Sequence, residues 1–209
     1  MRASLTAPPR VSSLRMPTEP GAGMGAFEAA KRTVLGALTG TVLEIGAGRG
    51  ANFGYFRRDI RWIGLEPSPA RRRGLAAAAA ARGQHAPVLT APAERIPLPT
   101  ASVDAVASTV VLCSVADQRR ALAEIRRVLR PAGVFVFFEH VAASAGIWPR
   151  WAQRAVSPCT RLFDAGCHPG RDTGRAIEAA GFRAVDARRY TEGRGAGLYS
   201  HYLAGIAHV

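Results

Sequence analysis

The stretch Thr41-Val42-Leu43-Glu44-Ile45-Gly46-Ala47-Gly48-Arg49-Gly50 is an apolar run that passes directly into glycines at alternate positions, and a second run, Arg61-Trp62-Ile63-Gly64-Leu65, ends in the carboxylate of Glu66. Short apolar runs bounded by glycine read as buried strands, and glycine supplies positive φ and an approach free of any Cβ where the chain must turn sharply. The pattern predicts a strand, a glycine turn and a helix beginning near Ala51, whose first N–H groups would aim at the same spot. In a doubly wound α/β sheet, an acidic residue about 20 positions on, at the tip of the second strand, accepts hydrogen bonds from ribose hydroxyls. Glu66 occupies that place. Gly46, Gly48 and Ala51 also satisfy the relaxed dinucleotide pattern, so the turn alone leaves the identity of the nucleoside ligand open.

A chain of 209 residues suits one α/β domain with a substantial core and is too short for separate nucleotide and catalytic domains. Cofactor binding and chemistry are therefore expected to share one sheet. No apolar stretch approaches the roughly 18 residues of a membrane helix, so no membrane partner is expected. The net charge of +13 raises a nucleic-acid reading. Lys31 is the only lysine, however, and the arginines are scattered over predicted helix faces without interleaved aromatics, which favours a solvated surface and no nucleic-acid partner. The triplet Arg71 to Arg73, at a helix start, is the remaining candidate for an anion patch. Cys113, Cys159 and Cys167 have no CxxC spacing and no secretory segment precedes them, so a cytoplasmic location and no metal site are expected.

Residues 1–24, rich in Pro, Ser, Thr and Gly, are expected to form a disordered leader, and residues 25–209 a single domain. Helical spacing from Phe27 to Leu38 ends at Gly40. Strands and helices then alternate: strand 41–46, helix from about 51, strand 61–66, helix 69–82, strand 87–90, strand 103–109, helix 117–129 and strand 133–141. Pro131 and Gly133 stop the last of these helices and turn the chain into Val134-Phe135-Val136-Phe137-Phe138. The segment through Trp148, Trp151 and Phe163 reads as a helix over the open end of the sheet, either walling an apolar pocket or packing as a lid. A capped helix at 172–180 follows. Strands at 182–190 and about 199–207 are joined by a connection too short for a crossover helix, which predicts an antiparallel final strand. The expected fold is a doubly wound, Rossmann-like, seven-stranded sheet, mostly parallel, with helices on both faces.

At this point the chain resembles the class I S-adenosylmethionine-dependent methyltransferases. The resemblance is carried by Val42 to Gly50, Gly64-Leu65-Glu66-Pro67-Ser68, Ala93-Glu94-Arg95-Ile96-Pro97, Ser102-Val103-Asp104-Ala105-Val106 and Arg126 to Gly133. A narrower similarity, in Gly50-Ala51-Asn52-Phe53, Ser108 to Val115, Glu139-His140-Val141-Ala142 and Leu162-Phe163-Asp164, is to the methyltransferase-like group whose animal members are membrane-anchored alkyl-thiol S-methyltransferases. The resemblance implies S-adenosylmethionine as cofactor, S-adenosylhomocysteine as product and a small-molecule acceptor, with a thiol favoured over oxygen or nitrogen. It implies that Gly46, Gly48 and Gly50 line the methionine moiety, with Glu44 ordering the turn or the amino group through water, and that Ala47, Asn52 and Phe53 also belong to the cofactor site. It also implies that Glu66 binds the ribose hydroxyls with Pro67 and Ser68 in the same cofactor site, that Ala93 and Glu94 border the adenine, and that Ser108 and Thr109 face the sulfonium methyl.

For a general base, His140 is the first candidate because it ends strand five, where open α/β sheets place their sites; a histidine merely bonded to a neighbouring loop is the alternative. Glu139 and Asp164 are second candidates, each equally able to cap a segment or pair with an arginine. The catalytic residues expected are thus His140, Thr109 and Asp164. Trp62 and Cys113 read as core. Two other classes remain open from the residues alone: a nicotinamide-dependent oxidoreductase and a basic nucleic-acid-binding module.

Overall fold

Alternate residues of a strand face opposite sides of its sheet, and here both sides are apolar. Val42, Trp62, Ala105 and Val134, level with one another across four strands, belong to one buried cluster; Leu43, Ile63, Val106 and Phe135, one position on, belong to the other. A sheet buried on both faces needs helices on both. The computed structural model describes residues 11–17, 23–84, 88–141, 171–191 and 201–209.

The strands are β1 (Thr41–Ile45), β2 (Arg61–Leu65), β3 (Val88–Leu89), β4 (Val103–Thr109), β5 (Leu129–His140), β6 (Ala184–Thr191) and β7 (His201–His208). They form one 7-stranded sheet in the order β3-β2-β1-β4-β5-β7-β6. β1 to β5 run parallel, and β7 is antiparallel to both β5 and β6. The strand order reverses between β1 and β4, and ligands of open α/β sheets bind outside the carboxyl ends of the strands at such a switch point.

Helices α1 (Met24–Gly36) and α2 (Pro69–Ala81) cover one face through residues such as Phe27, Val34, Leu75 and Ala79. Helices α3 (Gln118–Val128) and α4 (Thr173–Glu178) cover the other through Leu122, Ile125 and Ile177. Asp117 caps α3 by accepting from the Arg120 amide at 3.1 Å, and Arg126 and Arg127 occupy its last turn, where cations suit the helix dipole. Among the described residues no helix is long and apolar enough to cross a membrane.

Three expectations are corrected. The helix expected from about residue 51 is a single 3-10 turn, Ala51–Gly54. Phe53 turns inward onto Trp62, with ring centroids 4.7 Å apart, and the guanidinium of Arg82 donates to the Phe53 carbonyl at 2.7 Å, so the chain is drawn down before a second turn can form. The fifth strand begins at Leu129 rather than 133, because Leu129 already pairs with Val103 before the register shifts. The leader is not structureless throughout: Val11–Ser13 forms a 3-10 turn, and Leu14 and Met16 are buried in the cluster that holds α1. The Met16 amide donates to Asp186 on β6 at 2.9 Å, which ties this segment to the edge of the sheet. Each apolar side chain so buried contributes about 1.5–3 kcal/mol relative to exposure. Trp148, Trp151, Phe163, Cys159 and Cys167 lie outside the described residues.

Candidate functional site

The turn after β1 takes Gly46, Gly48 and Gly50 through φ of 58°, 60° and 86°. At Gly46 the requirement is double. The φ is left-handed, and a Cβ there would stand 2.5 Å from a methyl of Val111, so side chains other than glycine's are excluded by both backbone and space. At Gly48 the space is open: a Cβ would meet nothing nearer than the Gly46 carbonyl at 3.9 Å.

Glu66, 1% exposed, accepts the Gly48 amide on one carboxylate oxygen at 2.9 Å and the Ser68 amide on the other at 2.8 Å. The Gly48 amide is thus aimed at Glu66, and the glycine turn and the tip of β2 are welded together. Each carboxylate oxygen carries two lone pairs, so one acceptor position per oxygen remains for a ligand. Ser68 itself takes part through its backbone and stands at the start of α2.

A cavity of about 310 Å³ opens beside this carboxylate, within the usual size of a small-molecule site. Of the predicted cofactor residues it is lined by Gly46, Glu66, Pro67, Ala93 and Glu94; Leu65, Ala91, Pro92, Val110, Val111 and Arg71 complete much of the wall. Arg71 comes from the arginine triplet singled out as an anion patch. Glu94 accepts from the amides of Ala116 at 2.7 Å and Asp117 at 3.2 Å, which fixes the loop before α3 as the far wall.

Other predicted residues lie elsewhere. Ala47 and Phe53 are packed into the cluster under α1 and α2. Ser108 is fully buried and donates its hydroxyl to Glu139, so it supports the site from behind. Glu44, 1% exposed, accepts from the Trp62 indole at 2.8 Å and from the Asn52 amide nitrogen at 2.7 Å; the same nitrogen donates to Thr109 at 3.1 Å. Glu44 therefore orders the turn through Asn52, and Trp62, read as plain core, is also a hydrogen-bond donor. Among the described residues the carbonyl oxygen of Asn52 is buried with no partner, an acceptor left over. His140 ends β5 level with Tyr202, its ring 4.8 Å from the tyrosine ring, and is not among the residues that line the cavity. Asp164 lies outside the described residues.

Burial pushes the Glu44 carboxyl up to about 7 from 4.5, against the opposing hydrogen bonds of Trp62 and Asn52 and the charge of Lys31. Its folded pKa lies above the unfolded value, so as pH falls toward 7 and below the folded protein takes up a proton that the unfolded chain binds only near 4.5. Glu44 thus favours the fold under acidic conditions, and that contribution, on the order of 3 kcal/mol, is lost as pH rises through about 7. Glu44→Gln should remove this component. Urea midpoints measured between about pH 5 and 8 should fall less steeply in the variant than in the wild type; parallel curves would show that the carboxyl does not titrate in this range.

Sequence reasoning ranked Glu139 only as a second base, yet it builds the site wall. Fully buried, it accepts from the Val111 amide at 3.0 Å, the Leu112 amide at 3.1 Å and the Ser108 hydroxyl. Burial pushes its pKa up, while these hydrogen bonds pull it back. The loop it holds includes Val110, a β-branched residue at φ 54°, a strained position anchored by its amide to the Phe138 carbonyl at 2.8 Å. A carboxylate closing the otherwise apolar run 134–138 was the only signal available.

The residues present fit a nucleoside cofactor. The open space at Gly48, the remaining lone pairs on Glu66, the orphan Asn52 oxygen and the cavity between Pro67 and Ala93 supply room, ribose acceptors, a spare acceptor and an apolar wall.

Residues 43–137 match the family described as "Methyltransferase domain". Thiol S-methyltransferase TMT1A of Homo sapiens is 37% identical over 146 residues, 68% of this chain and 59% of that protein. Thiol S-methyltransferase TMT1B of Homo sapiens is 37% identical over 151 residues, 71% of this chain and 62% of that protein. The chain therefore spans about three fifths of the length of these curated relatives. Among solved structures, an S-adenosylmethionine-dependent methyltransferase from Mesorhizobium loti superposes with a TM-score of 0.66 at 21% identity, covering 88% of this chain and 99% of that one, a likeness of fold.

Proposed function

We propose that the chain is an S-adenosylmethionine-dependent methyltransferase acting on the thiol of a small molecule, a reading supported by the match of residues 43–137 to the methyltransferase domain family. The observation that carries this reading is Glu66, held by the Gly48 and Ser68 amides at the wall of the cavity with acceptor capacity to spare. When bound, S-adenosylmethionine supplies a sulfonium methyl already activated for in-line displacement.

The protein's share is to bind, align and keep water out, and alignment of this kind can lower a barrier by roughly 7–11 kcal/mol. Glu66 accepts from the ribose hydroxyls. Pro67 and Ala91 to Ala93 offer the purine an apolar wall. In this reading the turn at Gly46 and Gly48 backs the methionine half, and the buried Asn52 oxygen accepts a donor from it. Thr109, at the tip of β4, faces the methyl. A thiol needs little help from a base because part of it is already ionised at neutral pH; His140 and Asp164 stay as candidate bases for an acceptor that needs more.

The thiol acceptor is supported by the activity that the human relatives' names record. Operation in a reducing cytoplasm belongs to the same proposal, on the number and spacing of Cys113, Cys159 and Cys167. Calorimetric titration of the intact protein with S-adenosylmethionine, followed by mass analysis of products from a panel of alkyl thiols, phenols and amines, tests both levels. Cofactor binding and a methyl thioether are expected. Failure to bind the cofactor would remove the methyltransferase reading, and methylation of a phenol or amine alone would remove only the thiol.

A further inference from the structure

We propose that Asn52 fixes the Thr109 hydroxyl as a hydrogen-bond donor to the acceptor's sulfur, so that this pair recognises the thiolate form; the inference rests on the thiol reading above. Thr109 is the last residue of β4, half-buried at the carboxyl end of the sheet beside the strand-order switch, and Val110, at φ 54°, turns the chain away immediately after it. Its hydroxyl oxygen receives the Asn52 amide nitrogen at 3.1 Å.

Which end of that amide faces Thr109 is decided one step further in. The same nitrogen donates to Glu44 at 2.7 Å, and the other oxygen of Glu44 is held by the Trp62 indole at 2.8 Å. Where the Glu44 carboxyl is ionised it can only accept, so the amide nitrogen faces it, and the second amide hydrogen then goes to Thr109. A threonine hydroxyl has one proton. With a lone pair taken by Asn52, that proton cannot point back along the same line. Among the described residues Thr109 has no other hydrogen-bond partner, and its β-branched side chain has few rotamers in which to seek one.

The inferred result is a donor directed away from the Glu44–Asn52 chain, on the residue that precedes Val110 in the cavity wall. A hydrogen bond to the charged form of a titrating group favours that form. A thiol entering here is expected to give its proton to solvent more readily than in water, while Thr109 keeps its own.

The test uses the full chain loaded with S-adenosylhomocysteine and benzyl mercaptan as the probe, reading the thiolate's ultraviolet absorbance against pH. The wild type should lower the midpoint of the bound thiol by about one pH unit. With S-adenosylhomocysteine saturating in each variant, Thr109→Val should return the midpoint to that of the free thiol, and Thr109→Ser should restore the shift. Asn52→Ala, which releases the hydroxyl, should reduce it. Equal midpoints in wild type and Thr109→Val would overturn the proposal, as would a full shift in Asn52→Ala. Absence of thiol binding to a wild-type protein that holds S-adenosylhomocysteine would instead defeat the thiol reading, and this inference with it.

Discussion

Glu66→Ala is expected to weaken S-adenosylhomocysteine binding between about ten- and a hundredfold in calorimetric titration, a loss of about 1.4–2.8 kcal/mol. The size follows from the loss of hydrogen bonds to a charged acceptor, each contributing about 1.5–3 kcal/mol, offset in part by water entering the vacated space. Two effects combine at this residue. The variant removes the ribose acceptor, and it also releases the Gly48 amide, held at 2.9 Å, so the glycine turn loses its tie to β2. Glu66→Gln should fall between wild type and alanine, because it keeps one acceptor oxygen and turns a donor toward one of the two amides. The melting temperature should drop by only a few degrees, since Gly48 is half-exposed and water can replace the lost partner. An unchanged dissociation constant in Glu66→Ala would show that the ribose lies elsewhere.

The second large effect is on stability. Glu139→Ala leaves the buried Leu112 amide and Ser108 hydroxyl, and the half-buried Val111 amide, without their acceptor. An unsatisfied buried donor costs about 1–3 kcal/mol, and removing a buried charge returns part of that, so a net loss of about 3 kcal/mol is expected. For a chain of this size that corresponds to roughly 10 °C in melting temperature. Glu139→Gln, which keeps the shape and one oxygen, should lose less in a thermal melt yet still weaken cofactor binding, because Val110 and Val111 form one wall of the cavity. A variant that melts like the wild type and binds cofactor equally well would remove Glu139 from the site.

Both predictions concern residues whose partners were differently visible in the sequence. The strand, the glycines and Glu66 were legible because their pattern is local: an apolar run, a turn residue and a carboxylate at the next strand's tip. The antiparallel ending was legible for the same reason. Glu139 acts on amides 27 and 28 residues away, and no periodicity reports such a distance. The Trp62 indole found Glu44 only because β1 and β2 lie side by side. The missing helix after Gly50 was a contest between local propensity and packing, and the fit of Phe53 against Trp62 decided it. Val110 shows the limit most clearly: nothing in the sequence marks a valine for the left-handed region, and only the bonds on either side of it hold it there.

The short segment that lays Leu14 and Met16 against the sheet makes translation initiation a matter of cohesion. A polypeptide begun at Met16 would forfeit the leucine and the Arg15 guanidinium that stands 3.5 Å from the His208 ring nitrogen. One begun at Met24 would leave both apolar sockets to water, at about 2–5 kcal/mol for each deleted side chain. Upstream codons would then encode part of the core's cladding.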